Sequence, residues 1–176
     1  MRWMCLVIAI LIATQARAAD TPRRNIVLMI ADDLGRTLGC YGDSVVKTPH
    51  IDAFAKTGTR FTHAFASVAS CSPSRATLLT GMPTHQCGQY GLAHATHNAH
   101  TMRTAAGLPK LLEAGGYRSG IIGKLHVQPK EVYPFDVEYP GGRNVPEMAV
   151  LARKFIEESG EKPFFLVVGF LSLIHI

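Results

Sequence analysis

The chain has 176 residues, of which 47% are hydrophobic and 18% are charged, and its formal net charge is +5. This composition is typical of globular proteins and excludes a disordered or fibrous chain. The basic residues form no continuous stripe, so we expect no nucleic-acid partner. A chain of this size buries roughly 70% of its surface on folding, which is enough for one hydrophobic core.

The first 18 residues have the pattern of a secretory signal peptide. Arg2 precedes an apolar run over residues 6–13, and Ala16 and Ala18 provide the small side chains of a cleavage site. The run is shorter than the roughly 20 residues of a membrane span. We therefore expect an exported protein (periplasmic, secreted or lysosomal) with no membrane contact after signal cleavage. An N-terminal anchor that stays attached is the alternative.

Export to an oxidising compartment allows the cysteines of the chain to form disulfides. Cys5 lies in the signal segment, which leaves Cys40, Cys71 and Cys87. An odd number of cysteines in an oxidising compartment indicates that one thiol is not paired with the others in a disulfide. Cys40 and Cys87 form either a disulfide or two buried free thiols.

Apolar periodicity and Gly/Pro punctuation predict alternating strands and helices. The run over residues 25–31 is continuous, which predicts a strand that is buried on both faces of a parallel sheet. In chain order we predict a strand at residues 25–31, a helix at 51–57, a strand at 60–66, a helix from 72 to the glycine at 81, a loop at 83–101, a helix at 108–114, a strand at 117–122, a loop at 127–144, a helix at 146–158 and a strand at 164–170. This alternation predicts an α/β fold with a mostly parallel sheet.

Polar residues follow two of the predicted strands directly. Asp32 and Asp33 come after the first strand, and Lys124 and His126 come after the strand at 117–122. Ligands of parallel sheets bind at the carboxyl ends of the strands, so these side chains are candidates for one site. Two adjacent carboxylates favour a hard cation. A helix N-cap with a solvated neighbour is the alternative for the pair.

The stretch from Cys71 to Arg75 places a thiol at the start of a predicted helix. Free backbone N–H groups and the helix dipole attract anions there, and Arg75 can donate two hydrogen bonds to an oxyanion. A capping segment with a buried cysteine is the alternative. A thiolate phosphatase loop is set aside, because it has five residues between Cys and Arg and this chain has three.

These motifs resemble those of the type I sulfatases over residues 25–170. The sequence Cys71-Ser-Pro-Ser-Arg75, continued by Ala-Thr-Leu-Leu-Thr-Gly81, resembles the family signature in which the cysteine is oxidised to formylglycine. Ala-Asp-Asp at 31–33 and Gly-Lys-Leu-His at 123–126 resemble two further family segments. The resemblance implies an alkaline-phosphatase-like sheet flanked by helices.

Within the family, the chain is most similar to the heparan N-sulfatases. The stretches that carry this similarity are residues 70–75, 84–86, 88–92, 120–124, 126 and 132–136. The resemblance implies hydrolysis of N-linked sulfate on a sulfated amino sugar, and hence a part in glycosaminoglycan degradation. A formylglycine-generating maturase is the implied protein partner.

The resemblance also implies a role for each site residue. Formylglycine at position 71 is hydrated to a diol, of which one hydroxyl attacks sulfur and the other collapses to eject sulfate. Calcium, held partly by Asp32, Asp33 and the residue made from Cys71, polarises a sulfate oxygen. The side chains that complete the implied site are Arg75 and Lys124, which hold the diol and the sulfate, and His126, the base for collapse of the diol.

The chain departs from the family pattern after residue 170. The family continues with a His-containing segment, further metal ligands and a smaller C-terminal domain, whereas residues 171–176 form an atypical tail with His175. We therefore interpret residues 19–170 as the N-terminal part of a truncated catalytic domain that is inactive alone. The rivals are an O-sulfatase, a phosphonate or phosphate monoesterase, and a non-catalytic secreted binding protein.

Three histidines recur at every third position in the predicted loop: His94, His97 and His100. They lack a neighbouring cysteine or carboxylate, so a solvated loop is favoured over a zinc site. A loop that borders the substrate pocket is the second alternative, which the family resemblance suggests.

Overall fold

The computed structural model of the chain describes residues 22–94 and 96–171. Within them the strands are β1 (Ile26–Ala31), β2 (Arg118–Gly123), β3 (Val137–Tyr139) and β4 (Phe164–Phe170). The helices are α1 (Pro49–Ala55), α2 (Cys71–Thr80), α3 (Thr84–Cys87), α4 (Leu108–Ala114) and α5 (Val145–Ser159), with 3₁₀ turns at Gly39–Tyr41 and Lys130–Val132. The predicted signal peptide and residues 172–176 of the predicted tail lie outside the described residues.

The four strands form one parallel sheet in the order β1-β4-β2-β3. β4 lies between β1 and β2, with Val167 opposite Leu28 on one side and Ile121 on the other. Because all strands are parallel, their carboxyl ends meet at one edge of the sheet. The predicted α/β class is therefore confirmed, and the predicted Asp and Lys-x-His segments lie at the same edge.

Helices cover both faces of the central strands. Alternate residues of β4 point to opposite faces: Phe165 packs in a cluster with α2 and the segment around Tyr133, while Leu166 packs in a cluster with α5. On the α5 side, Phe155 lies edge-on to Phe164, with ring centroids 5.9 Å apart. This two-sided burial explains why β4 reads as an unbroken apolar run.

The prediction that β1 is buried on both faces is wrong. Leu28 and Ile30 pack against the core, but Val27 is 51% exposed and Met29 is 64% exposed. Among the described residues, β1 is an edge strand with β4 as its neighbour. An apolar run predicts the strand itself, whereas the surroundings of its second face depend on other elements.

Three local predictions are also wrong. The described residues 60–66 form no strand; a hydrogen bond from the Tyr41 hydroxyl to the carbonyl of Phe61 (2.9 Å) holds this segment instead. The predicted loops at 83–101 and 127–144 contain α3 and β3 respectively. Both elements are too short to show a periodicity in the sequence.

Cys40, Cys71 and Cys87 are free thiols in the structure. Of the two alternatives for Cys40 and Cys87, the structure therefore has the free thiols, with Cys87 buried and Cys40 half-buried. Within the described residues, the helices are all too short or too polar to cross a membrane.

Candidate active site

Cys71 is the first residue of α2 and lies at the carboxyl edge of the sheet. Ser70 precedes it in an extended conformation, and its carbonyl accepts the first helical hydrogen bond from the N–H of Ser74 (2.9 Å). The helix is fixed from behind, because Ala76 and Leu79 are buried in the core. The half-buried Cys71 is therefore presented by a fixed helix, at the N-terminal end where the helix dipole favours negative charge.

A cavity of about 510 Å³ opens in front of α2. We call it the carboxyl-edge cavity; the chemistry-bearing residues that line it are Asp32, Asp33, Cys71, Arg75 and Lys124. The structure thus brings together five of the six predicted site residues. His126, the sixth, is not among the lining residues and follows two residues after Lys124.

Asp32 is the centre of an ion-pair network in the cavity. Its Oδ1 accepts from Arg75 Nη2 at 2.5 Å, and its Oδ2 accepts from Lys124 Nζ. Arg75 is only 2% exposed, and its Nη1 also donates to the carbonyl of Lys124 at 2.6 Å. Burial alone would raise the pKa of Asp32, but hydrogen bonds and positive charge from Lys124 and Arg75 lower it below its usual value.

Two glycines make this network possible, of which the sequence analysis did not single out Gly169. A Cβ on Gly169 would lie 2.2 Å from the carbonyl oxygen of Lys124 and 3.0 Å from Arg75 Nη1. A Cβ on Gly123 would lie 2.3 Å from the carbonyl oxygen of Gly169. The signal that could have found Gly169 is its position as a glycine in an otherwise bulky apolar strand, which often marks a close approach.

His126 adopts a backbone conformation that is rare for a residue with a side chain, with φ of 58°. Its ring stacks on that of His94, with centroids 4.6 Å apart, and its Nε2 contacts His94 Nδ1. Burial and the charge of Lys124 lower the pKa of His126 to about 4. The ring is therefore neutral at neutral pH.

Two of the residues that line the cavity have oxygens of the kind that a hard cation binds. Asp32 and Asp33 line one cavity, and carboxylate oxygens suit calcium. Within residues 22–94 and 96–171, however, no group of three or more His, Cys, Asp and Glu side chains is arranged to hold a metal ion. Calcium takes about six to eight oxygens, so the two carboxylates fit it as a partial ligand set.

Comparisons with known proteins agree with this arrangement. The family model described as Sulfatase matches residues 24–173. N-sulphoglucosamine sulphohydrolase of Homo sapiens is 47% identical over 155 residues, which cover 84% of this chain and 31% of that protein.

Solved structures share the fold. Ps i-CgsB in complex with k-i-k-neocarrahexaose matches with a TM-score of 0.72 and 27% identity, covering 88% of this chain and 46% of that one. BT4656 in complex with its substrate D-glucosamine-2-N,6-O-disulfate matches with a TM-score of 0.69 and 26% identity, covering 84% and 34%. These neighbours confirm the expected alkaline-phosphatase-like fold. The chain spans less than half the length of each of these three proteins.

Proposed function

Because the chain belongs to the sulfatase family, we propose that the protein containing it removes N-linked sulfate from the glucosamine of heparan-type glycans. The observation that carries this proposal is the meeting of Cys71, Arg75, Lys124 and Asp32 around one cavity. The identity with the human N-sulphoglucosamine sulphohydrolase supports a sulfamate as the substrate. The neighbour that binds a disulfated glucosamine supports a sulfated amino sugar.

Cys71 is the residue that a maturase converts to formylglycine in this proposal. When present, the hydrate of formylglycine supplies an oxygen nucleophile for attack on sulfur. The helix position of Cys71 suits this role, because the N–H groups of α2 favour negative charge at its start. The carbonyl of Ser70 and the buried helix behind hold residue 71 in place while the substrate reacts.

Arg75 and Lys124 bind the anionic group. Arg75 presents a planar fork that matches two oxygens, whereas Lys124 presents a compact charge. Arg75 cannot swing away, because it is buried and its Nη1 is tied to the carbonyl of Lys124. Both cations contact Asp32 in the structure, so binding of the anionic group would exchange contacts with Asp32 for contacts with its oxygens. The two positive charges then stabilise the negative charge that develops on the reacting group.

His126 accepts and returns the proton of the hydroxyl at position 71. Its lowered pKa keeps the ring neutral at neutral pH, so one ring nitrogen has a free lone pair. Its place two residues after Lys124 brings it to the same edge of the sheet as Cys71.

Asp32, Asp33 and the residue made from Cys71 are the part of this chain that would hold calcium. Calcium would supply a Lewis acid for a sulfate oxygen. Lys124 and Arg75 lower the pKa of Asp32, which keeps its carboxylate in the ionised form that binds a cation. Since the same two side chains contact both oxygens of Asp32, calcium binding there would replace one of these contacts. We place the protein outside the cytoplasm on account of the signal pattern over residues 1–18.

The modification is tested by mass spectrometry of the tryptic peptide 61–75, after expression of the full-length gene product with a maturase. Conversion of the Cys71 thiol to an aldehyde lowers the peptide mass and makes it reactive towards hydrazides. Cys71→Ala should abolish sulfamate hydrolysis, while Cys40→Ala, whose half-buried thiol lines a different cavity, should retain it. Full hydrolysis with an unmodified Cys71 would overturn the proposal.

The substrate is tested by turnover of three compounds by the same protein: an N-sulfated glucosamine, a 6-O-sulfated glucosamine and a phosphonate monoester. We expect the highest kcat/KM for the N-sulfated sugar. A preference for the sulfate ester or the phosphonate would change the proposed substrate but leave the proposed site residues as they are. Binding of the sugar without turnover, with Cys71 unconverted, would instead favour a binding protein on the sulfatase fold.

A further inference from the structure

His94 is brought to the catalytic edge by the loop that also carries His100. The rings of His94 and His126 are stacked with planes 16° apart, and His94 Nδ1 contacts His126 Nε2. By contrast, His100 Nε2 pairs with Asn98 Oδ1 at 3.1 Å, within its own loop. His94 thus differs from His100 in reaching a residue of the proposed mechanism.

The residue before His94 is held from both sides. The N–H of Ala93 donates to Ser72 Oγ at 3.1 Å, on the first turn of α2. Gln128 Nε2 donates to the carbonyl of Ala93 at 3.3 Å. Because Ser72 follows Cys71 and Gln128 follows His126 closely, these bonds fix the loop relative to both halves of the site.

A buried polar network closes the base of the same loop. Gln89 is fully buried, and its Nε2 donates to the carbonyls of Gly91 (2.7 Å) and Ala99 (2.9 Å). Its Oε1 accepts from Thr101 Oγ1 at 3.1 Å. A satisfied buried network of this kind rigidifies the backbone that it joins. The position of His94 is therefore imposed by the fold, although its side chain is exposed.

The two ring nitrogens of His126 have different surroundings. Nε2 is taken by His94, whereas Nδ1 is buried and has no hydrogen-bond partner among the described residues. A buried ring nitrogen without a partner is costly and calls for a functional explanation. The positive φ of His126 is a second strained feature at the same residue.

We infer that His94 is a positioning residue for His126: His94 Nδ1 accepts the Nε2–H of His126 and leaves the lone pair of His126 Nδ1 free as the base. This inference rests on the proposed function. The proton of the hydroxyl at position 71 passes to Nδ1, and the imidazolium keeps its Nε2–H on His94. Since the hydrogen bond at one ring nitrogen sets which nitrogen is protonated, His94 selects the tautomer that can act.

Steady-state kinetics of the full-length gene product on an N-sulfated glucosamine tests this role. His94→Ala should lower kcat about 10- to 100-fold with little change in KM, as for other residues that orient a reacting side chain. His94→Asn, whose amide oxygen can accept from Nε2–H, should recover part of that loss. His94→Phe, which keeps a ring to stack but has no nitrogen, should remain as slow as His94→Ala. His100→Ala is the matched control and should keep the wild-type kcat.

Nitrogen NMR of the histidine-labelled protein gives a readout independent of turnover. In the unmutated protein the His126 resonances, assigned with His126→Gln, should show Nε2 protonated and Nδ1 bare. In His94→Ala the two tautomers should mix. A protonated Nδ1 in the unmutated protein would overturn the inference.

The outcomes separate this inference from the proposed function. If the unmutated protein does not hydrolyse the sugar, the proposed function fails. If it does, and His94→Ala keeps its kcat or His94→Phe equals the unmutated protein, only the role of His94 fails. Melting temperatures within about 2 °C of each other for the His94 variants exclude misfolding as the cause.

Discussion

Strand β4 pairs with the whole of β1, from Ile26 opposite Phe165 to Ala31 opposite Phe170, yet the surroundings of the two strands differ. β4 is covered by a neighbour on each side and by packed side chains on both faces. β1 is covered on one face, and Met29 is exposed on the other. Two strands with similar apolar sequences thus reach different depths, because burial depends on what packs around a strand.

At its carboxyl end, by contrast, β1 leads into a tightly held side chain. Asp32, directly after the exposed strand, has its carboxylate held by the buried Arg75 and by Lys124. The contacts of Asp32 with Arg75 and Lys124 therefore hold the end of β1 against the central part of the sheet. Because Arg75 is buried and contacts both Asp32 and the carbonyl of Lys124, the geometry of this end is more constrained than the strand that leads to it.

The largest expected effect is the loss of a central side chain. Phe165→Ala should lower the free energy of unfolding by about 3–5 kcal/mol, because the ring is fully buried and a cavity remains. Phe65→Ala is the matched control; since Phe65 is 89% exposed, its change should stay within about 0.5 kcal/mol. Urea denaturation of both variants measures the difference, and equal losses would contradict the described core.

A second, smaller effect is expected where β4 meets the site. Gly169→Ala places a Cβ against the carbonyl of Lys124, a backbone atom that cannot rotate away, so we expect a loss of about 1–3 kcal/mol. Gly58→Ala is the control, because a Cβ there meets its nearest neighbour at 3.8 Å. Urea denaturation measures both, and an unchanged Gly169→Ala midpoint would refute the close approach of β4 to Lys124.

The site residues at the carboxyl edge could be predicted from the sequence, whereas the loop and the covering layers around them could not. The meeting of Asp32, Arg75 and Lys124 follows from a parallel sheet and three short motifs, each of which lies at the end or start of an apolar element. The contact between His94 and His126 joins residues 32 positions apart through an aperiodic loop, so no local pattern indicates it. The exposure of β1 is equally hidden, because a pattern within one segment carries no information about its covering layer.

Acid should weaken the fold through the site end of β2. The pKa of His126 is about 4 in the folded protein and ordinary, about 6.5, in the unfolded chain, so the unfolded chain binds more protons between these values. The free energy of unfolding should therefore fall as the pH is lowered from about 6.5 to about 4. Asp32, whose pKa is lowered, adds a loss at still lower pH.

Urea denaturation at about pH 7 and about pH 4.5 measures this loss, which His126→Gln should reduce. The control His100→Gln should keep the full dependence on pH, because His100 lies in the loop and pairs with Asn98. If His126→Gln retains the whole acid loss, other groups are responsible for it.

The smallest effect is expected on the open face of β1. Met29→Ala should change the free energy of unfolding of the 176-residue chain by no more than about 0.5 kcal/mol, because the side chain is already largely in water. Met148→Ala is the matched control: this methionine is 4% exposed against the central strands, and its truncation should cost about 2–5 kcal/mol. A loss at Met29 as large as that at Met148 would show that the second face of β1 is covered in solution. The edge and the centre of the sheet would then be equally buried, and the contrast between β1 and β4 would disappear.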